Sequence, residues 1–431
     1  MFKSKATCGD VQIGYCPRCN VPVLGKRCDV CGKSPLPLRF HDLGDIRPIS
    51  KEEMRVLLTL IPFKEVRNYI KRRVVLLSKQ PGLDYRRDVY VDGFRIGTME
   101  YIKDGGWRYR FTPTGKGAAL FLSLVGEADL NISGRGHLKG KKLNMNIDED
   151  WKIARANECV AVLVPAANGA KVRDVFCRKV SIKKRTNMED VISVNLGHLA
   201  YLERRALDVI RRNHPNYVAF SGGKDSEVAL YLASKVGVKR ALFANTGMEF
   251  PETERFVYNF ADYLGIELIE LKPKREFWSL VVENGIPTKD GRWCTKYLKI
   301  ESLKRYRGVI VEGTRKYESL ARMSNLNGKR IGNLRAVYPI RDWLALEVWM
   351  FIFMKSLPYN PLYDMGYERI GCYMCPSMLN AEFHRLRRTH PSLFRRWYEY
   401  LKKQGFSHDE IMDGAWRWQN LPPKIREIMK S

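Results

Sequence analysis

Between residues 199 and 313, apolar runs of strand length alternate with stretches of helical periodicity. Leu199 to Arg212 has the apolar spacing of an amphipathic helix, Tyr217-Val218-Ala219 is a short apolar run, and Glu227-Val228-Ala229-Leu230-Tyr231-Leu232 returns to the helical period. Lys239 to Ala244 reads as a buried strand, Glu249-Phe250-Pro251-Glu252-Thr253 opens a helix, and Gly308-Val309-Ile310-Val311 reads as a third strand. This alternation predicts an α/β fold, a doubly wound parallel sheet with ligands at the C-terminal ends of its strands.

Upstream the pattern changes. A helix is predicted from Lys51 through Arg72, followed by strand-like runs such as Val89-Tyr90-Val91 and Trp107 to Phe111, separated by Asp-Gly pairs, which is an α+β module. Arg72, Arg73, Arg86, Arg87, Arg108 and Arg110 lie among Tyr85, Tyr90, Trp107 and Tyr109. That interleaving suits a surface that grips phosphates and stacks bases, and equally a solvated sheet face over core aromatics. Next come a basic loop, Gly134 to Lys142, an acidic turn at Asp148-Glu149-Asp150, a short helix and the apolar strand Val160 to Pro165. Lys183 to Asn195 reads as a polar linker, and the stretch from His390 is basic and helical, with Trp397, Trp416 and Trp418. These shifts divide the chain into residues 1–38, 39–127, 128–190, 191–400 and 401–431.

Between the first strand and its helix lies Phe220-Ser221-Gly222-Gly223-Lys224-Asp225-Ser226. Gly222 and Gly223 allow a tight turn and close approach to an anion, the helix offers unpaired N–H groups, and Lys224 adds a point charge for a pyrophosphate. A Walker A loop needs glycine where this chain has Val218 and Ser or Thr where it has Asp225, so an ordinary P-loop is excluded. On Gly308 to Gly313 follows Thr314 to Arg322, where Arg315 and Arg322 suit phosphate or sulfate oxygens.

Lys and Arg total 75 against 47 Asp and Glu, a net charge of +28, which points to a polyanionic partner. The chain opens without an apolar leader and its longest apolar stretches are too short to span a bilayer, so a cytoplasmic protein with no membrane partner is expected. Of the ten cysteines, Cys16, Cys19, Cys28 and Cys31 form two Cys-x-x-Cys knuckles eight residues apart, a donor set for a structural zinc ion in an N-terminal ribbon. Cys372 and Cys375 form a third such pair. These spacings favour metal or redox chemistry over a disulfide framework; Cys159 and Cys177 are expected to be core thiols, and Cys8 has no assignment.

Ser221 to Ser226 resembles the PP-loop of ATP pyrophosphatases, which cleave ATP between the α and β phosphates and adenylate a substrate. Ala128 to Lys184 resembles a PUA domain, which implies an RNA partner. Asn245-Thr246-Gly247 through Glu252-Thr253, then Pro339 to Trp343, Val348-Trp349, Leu357 to Leu362 and Gly366-Tyr367 with Ile370-Gly371-Cys372, continue in order a resemblance to the phosphoadenosine-phosphosulfate reductase family over about residues 199 to 400. The resemblance implies an adenine nucleotide alpha hydrolase-like PP-loop catalytic domain, here preceded by the zinc ribbon, the α+β module and a small β-barrel PUA-like module. It further implies that Ser221, Gly222, Gly223, Lys224, Asp225 and Ser226 bind ATP phosphates with Mg2+. Thr246 and Gly247 would border the adenosine, and Arg315 and Arg322 would neutralise phosphate charge.

The reductases carry a nucleophilic cysteine near the C-terminus in a Glu-Cys-Gly-Leu-His motif, and an iron–sulfur branch has a Cys-Cys pair where this chain reads Cys294-Thr295. This chain has no cysteine after Cys375. Cys294, Cys372 and Cys375 suit a [4Fe-4S] cluster with one open iron, as in the PP-loop tRNA thiolation enzymes that this arrangement resembles. Two alternatives stand beside it: a zinc site completed by a residue such as His384, and a disulfide relay with Cys294 as persulfide carrier. The expected activity is adenylation of an RNA base, in the manner of tRNA thiolation, with sulfur taken from a donor. The alternative is a sulfonucleotide reductase acting on a small molecule.

Overall fold

The computed structural model describes residues 13–38, 40, 46–132, 138–318, 320–323 and 327–430. Cys8 and the first residues of the basic loop from Gly134 lie outside them. The largest sheet has six strands in the spatial order Glu267–Leu271, Arg240–Ala244, Tyr217–Ala219, Arg307–Val311, Asn333–Val337 and Arg330–Ile331. The first five are mutually parallel and the last is antiparallel. Both faces are covered, as the apolar runs require. On one, Val218 and Phe243 pack with Val228, Ala229 and Leu232 of the PP-loop helix and with Val257, Phe260 and Phe351; on the other, Leu242, Ile310, Leu334 and Ala336 form a second core. Sheet order runs outward in both directions from Tyr217–Ala219, so the loop after that strand sits at the topological switch point.

The module before it is a five-stranded antiparallel sheet in sequence order, from Arg47–Pro48 through Val75–Lys79, Arg86–Val91 and Phe94–Lys103 to Trp107–Pro113. The helix expected over Lys51 to Arg72 is two, Lys51–Leu60 and Lys64–Lys71, because Pro62 supplies no N–H to continue the first. Ser50 and Glu53 cap the first with a reciprocal box. A second sheet follows, with Gly169–Phe176, Cys159–Ala166 and Lys152–Ala156 at its centre. The short helix expected between the acidic turn and the apolar strand is instead the strand Lys152–Ala156, paired antiparallel with Cys159–Ala166. Alanine favours helix locally, but five cross-strand pairs override it here.

Two module boundaries dissolve in packing. Ribbon residues Val21, Val23 and Leu24 share one core with Leu76 and Tyr90 of the first sheet and with Val191, Leu199, Leu344, Leu346 and Met350. The linker is partly helical, Met188–Ser193, and Asn195 bonds back to the ribbon at Leu24 and Pro22. At the other end Leu401, Ile411 and Trp416 are buried with Trp397 against Met374, Met378 and Phe383. The stretch after residue 400 is thus part of the cysteine-bearing lobe. No helix among the described residues is long and apolar enough to cross a membrane.

Candidate active site

The strand Tyr217–Ala219 ends in the loop, and the helix Lys224–Ser234 starts from it. Gly222 has φ +75°, and a Cβ there would lie 2.8 Å from Thr253 and 2.9 Å from Val257, so both backbone and space demand glycine. Ser226 Oγ accepts the Ser221 N–H at 3.2 Å and donates to the Gly223 carbonyl at 2.8 Å, while Asn360 Nδ2 donates to the Gly222 carbonyl at 3.2 Å. The Lys224 N–H donates to Tyr363 Oη at 2.9 Å. The nest is thereby shaped before any anion arrives.

Lys224 Nζ lies 2.7 Å from Asp225, whose other oxygen accepts from Arg315 Nε at 2.6 Å. Burial pushes the Asp225 carboxyl up, but Arg315 and Lys224 outweigh it and hold the group below the usual carboxylate range. Gly313 lets the next strand's loop pass against this helix, since a Cβ there would meet the Asp225 carbonyl at 2.3 Å. The predicted Lys224, Asp225 and Arg315 are therefore one buried triad. Arg322 joins them on the wall of a cavity of about 540 Å³ with Ser221, Gly223 and Ser226, and pairs with Glu318. Such a volume falls within the range of small-molecule sites.

A second cavity of about 250 Å³ is lined by Cys294, Cys372 and Cys375. Thr246, expected to border the adenosine, lines this cavity, with Oγ1 3.7 Å from Cys372 Sγ and bonded to Glu249 at 2.9 Å. Gly247 lines neither cavity. Cys294 caps the π-helical turn Thr295–Ile300, an irregularity common at functional sites. Burial pushes the Cys372 thiol up to about 12, against the pull of Lys299. Cys372 foremost, then Glu249 and the other two thiols, hold the Lys299 ammonium above its ordinary range.

The ligand sets differ in geometry. Cys16, Cys19, Cys28 and Cys31 bring their sulfurs within 4.8 Å of one another, as four Zn–S bonds of about 2.3 Å demand. Among the described residues no other group of three or more such ligands converges so closely, and Cys294, Cys372 and Cys375 share the wall of one cavity without forming such a cluster. His384 does not complete one, since its ring nitrogens bond Tyr101 Oη at 2.8 Å and the Met412 carbonyl at 2.7 Å. Cys159 and Cys177 are not core thiols: they form a disulfide across the ends of two paired strands, a correction to the expectation of no structural bridge. Their apolar neighbours suggested burial, whereas pairing of Val160 with Phe176 is what brings them together.

Most of the arginines of the N-terminal sheet are ion-paired, in part with carboxylates of other modules. Arg73 pairs with Asp92, Arg108 with Asp104 and Asp150, Arg110 with Glu100 and Arg87 with Glu368, while Tyr85 and Tyr90 are buried. Residues that the sequence did not assign to the site also reach it. Lys299, Arg369, Ile370 and Gly371 line both cavities, and Arg47, Ser50, Lys79 and Arg87 of the N-terminal sheet line the larger one. Glu368 and Arg369 lie inside the Gly366 to Cys372 motif, between its recognisable ends.

Residues 215–378 match the model of the phosphoadenosine phosphosulfate reductase domain, which makes this a nucleotide-binding enzyme of the PP-loop superfamily. The chain is 37% identical over 409 residues to the uncharacterized protein MJ0973 of Methanocaldococcus jannaschii, spanning 88% of this chain and 97% of that one, and it belongs to the family of that protein. It is 29% identical over 187 residues to adenosine 5'-phosphosulfate reductase 2 of Bacillus subtilis, spanning 39% of this chain and 78% of that one. A phosphoadenylyl-sulfate reductase structure from Candida auris aligns at 21% identity and a TM-score of 0.32, covering 41% of this chain and 94% of that one.

Proposed function

We propose that the chain is an ATP-dependent RNA-modifying enzyme that adenylates a base carbonyl oxygen and replaces that oxygen with sulfur, in the manner of tRNA thiolation. The observation that carries this reading is the shared wall of the two cavities, which sets a phosphate nest beside three thiols. The loop N–H groups and Lys224 hold the terminal phosphates of ATP with Mg2+, and Arg315 and Arg322 neutralise charge as the base oxygen bonds the α-phosphorus and pyrophosphate leaves. Sulfide then bonds the base carbon, AMP leaves with the oxygen, and the sulfur gives up its proton. Three thiols on one cavity wall suit a [4Fe-4S] cluster, and such a cluster held by Cys294, Cys372 and Cys375 supplies, when bound, an open iron for sulfide. Lys299 places a positive charge beside this anionic sulfur. The net charge of +28 fits an RNA partner.

The reductase-domain match supports a second reading, reduction of a sulfonucleotide. One experiment separates them. The full chain, purified anaerobically, is incubated with ATP, Mg2+, sulfide and bulk tRNA, and nucleosides are examined by mass spectrometry. RNA-dependent AMP and pyrophosphate release with a thiolated nucleoside is expected. Sulfite release from adenosine 5'-phosphosulfate with a thiol reductant, and no thiolated nucleoside, would replace this reading with the second.

A further inference from the structure

Arg369 stands where the nucleotide cavity and the cysteine cavity meet and lines both. Arg322 beside it is paired with Glu318, but no carboxylate among the described residues pairs with Arg369. Burial, and after it the Arg369 charge, push the Arg322 guanidinium below its ordinary range. Lys299 adds a third cation at the same neck. Like charges held this close gain from an anion between them.

The residue before Arg369 is fixed from outside the catalytic sheet. Glu368 Oε1 accepts from Arg47 Nη2 at 2.6 Å and from Arg87 Nε at 2.9 Å, and Arg87 closes a second bond to the other oxygen. Arg47 also donates to Glu53 at 2.7 and 2.6 Å, and Tyr85 Oη donates to Glu53 at 2.9 Å. The Glu368 backbone N–H donates to Glu382 at 2.8 Å. Buried ion networks of this kind contribute little net stability against apolar packing, and what this one supplies is the position it imposes on Glu368.

We propose that Arg369 contacts the α-phosphate of a bound adenine nucleotide, and that Arg47, Arg87 and Glu368 are positioning residues through which the N-terminal sheet holds it at the neck. This rests on the nucleotide reading above and adds that a module outside the PP-loop fold completes the site. The loop nest takes the terminal phosphates, so the neck facing the thiols is left for the phosphorus at which the substrate is activated.

The test is calorimetric titration of the full chain with AMP and, separately, inorganic pyrophosphate, each with Mg2+. Arg369→Ala is expected to weaken AMP roughly 10- to 100-fold, the scale of one charge-assisted contact, and to leave pyrophosphate within about twofold. Arg369→Lys should recover part of the loss. Glu368→Gln should weaken AMP selectively by a smaller factor with Arg369 intact, whereas a merely structural role would weaken both probes alike and overturn the positioning part. An equal loss of both probes in Arg369→Ala, or no loss of either, overturns the Arg369 assignment alone. A wild-type chain that binds neither probe overturns the nucleotide reading and this proposal together. Arg369 is exposed, so its substitution should leave the melting temperature unchanged, which the same samples check.

Discussion

Glu227 is fully buried one turn into the PP-loop helix, and neither carboxylate oxygen finds a hydrogen-bond partner among the described residues. Burial, reinforced by the Asp225 charge, raises its pKa well above the ordinary 4.5. The folded chain therefore keeps a proton that the unfolded chain releases, and stability falls as pH rises from about 4.5 toward the folded value. Glu227→Met should stabilise the protein by on the order of 1–3 kcal/mol at pH 8 and by less at pH 5, read from denaturant melts at both. Asp225 has the opposite sign: its contribution is present above its unfolded pKa and is lost as pH falls through the folded one. Lys224 lines the larger cavity, so Lys224→Ala should lower pyrophosphate release by roughly 100-fold or more while RNA retention on a filter changes little. Parallel loss of both would mean that RNA and nucleotide share one surface.

Single elements explain what sequence pattern discloses. Strand, loop and helix from Tyr217 to Ser234 are consecutive, and local chemistry alone specifies them: an apolar run, two glycines and a helical period. The four ribbon thiols are likewise given by spacing. Lys299 and Arg369 escape because their meaning comes from which elements pack together, and the turn of the Thr246 side chain toward Glu249 and Cys372 is set by packing of the same kind. Lys152–Ala156 escapes for a related reason, being a strand only once its partner is beside it. The disulfide closing that partner's hairpin spans 18 residues and should contribute about 3 kcal/mol by limiting the unfolded chain. Cys177→Ser, or reduction, should lower the stability of this sheet by that order, seen as faster amide exchange over residues 152–176. Unchanged exchange would show that the strand pairing needs no bridge.

At the scale of the whole molecule the modules are not beads on a string. The N-terminal sheet reaches the nucleotide cavity, and the ribbon shares its core with the helix Ala345–Met354. Removing a metal ion held by the four ribbon thiols should therefore destabilise the catalytic core as well as the ribbon, by roughly 5 kcal/mol or more, with one shifted melting transition in the presence of a chelator. A small early transition followed by an unchanged main one would instead mark the ribbon as independent.

That shared core also has a consequence in time. Val21, Val23 and Leu24 are synthesised well before Leu344, Leu346 and Met350, against which they close and which follow more than three hundred residues later. At about 5–20 residues per second the wait is on the order of a quarter of a minute to a minute. Through that interval the nascent ribbon presents an unfinished apolar face, so early metal capture or a chaperone's cover would decide how much of the newborn chain reaches its folded form.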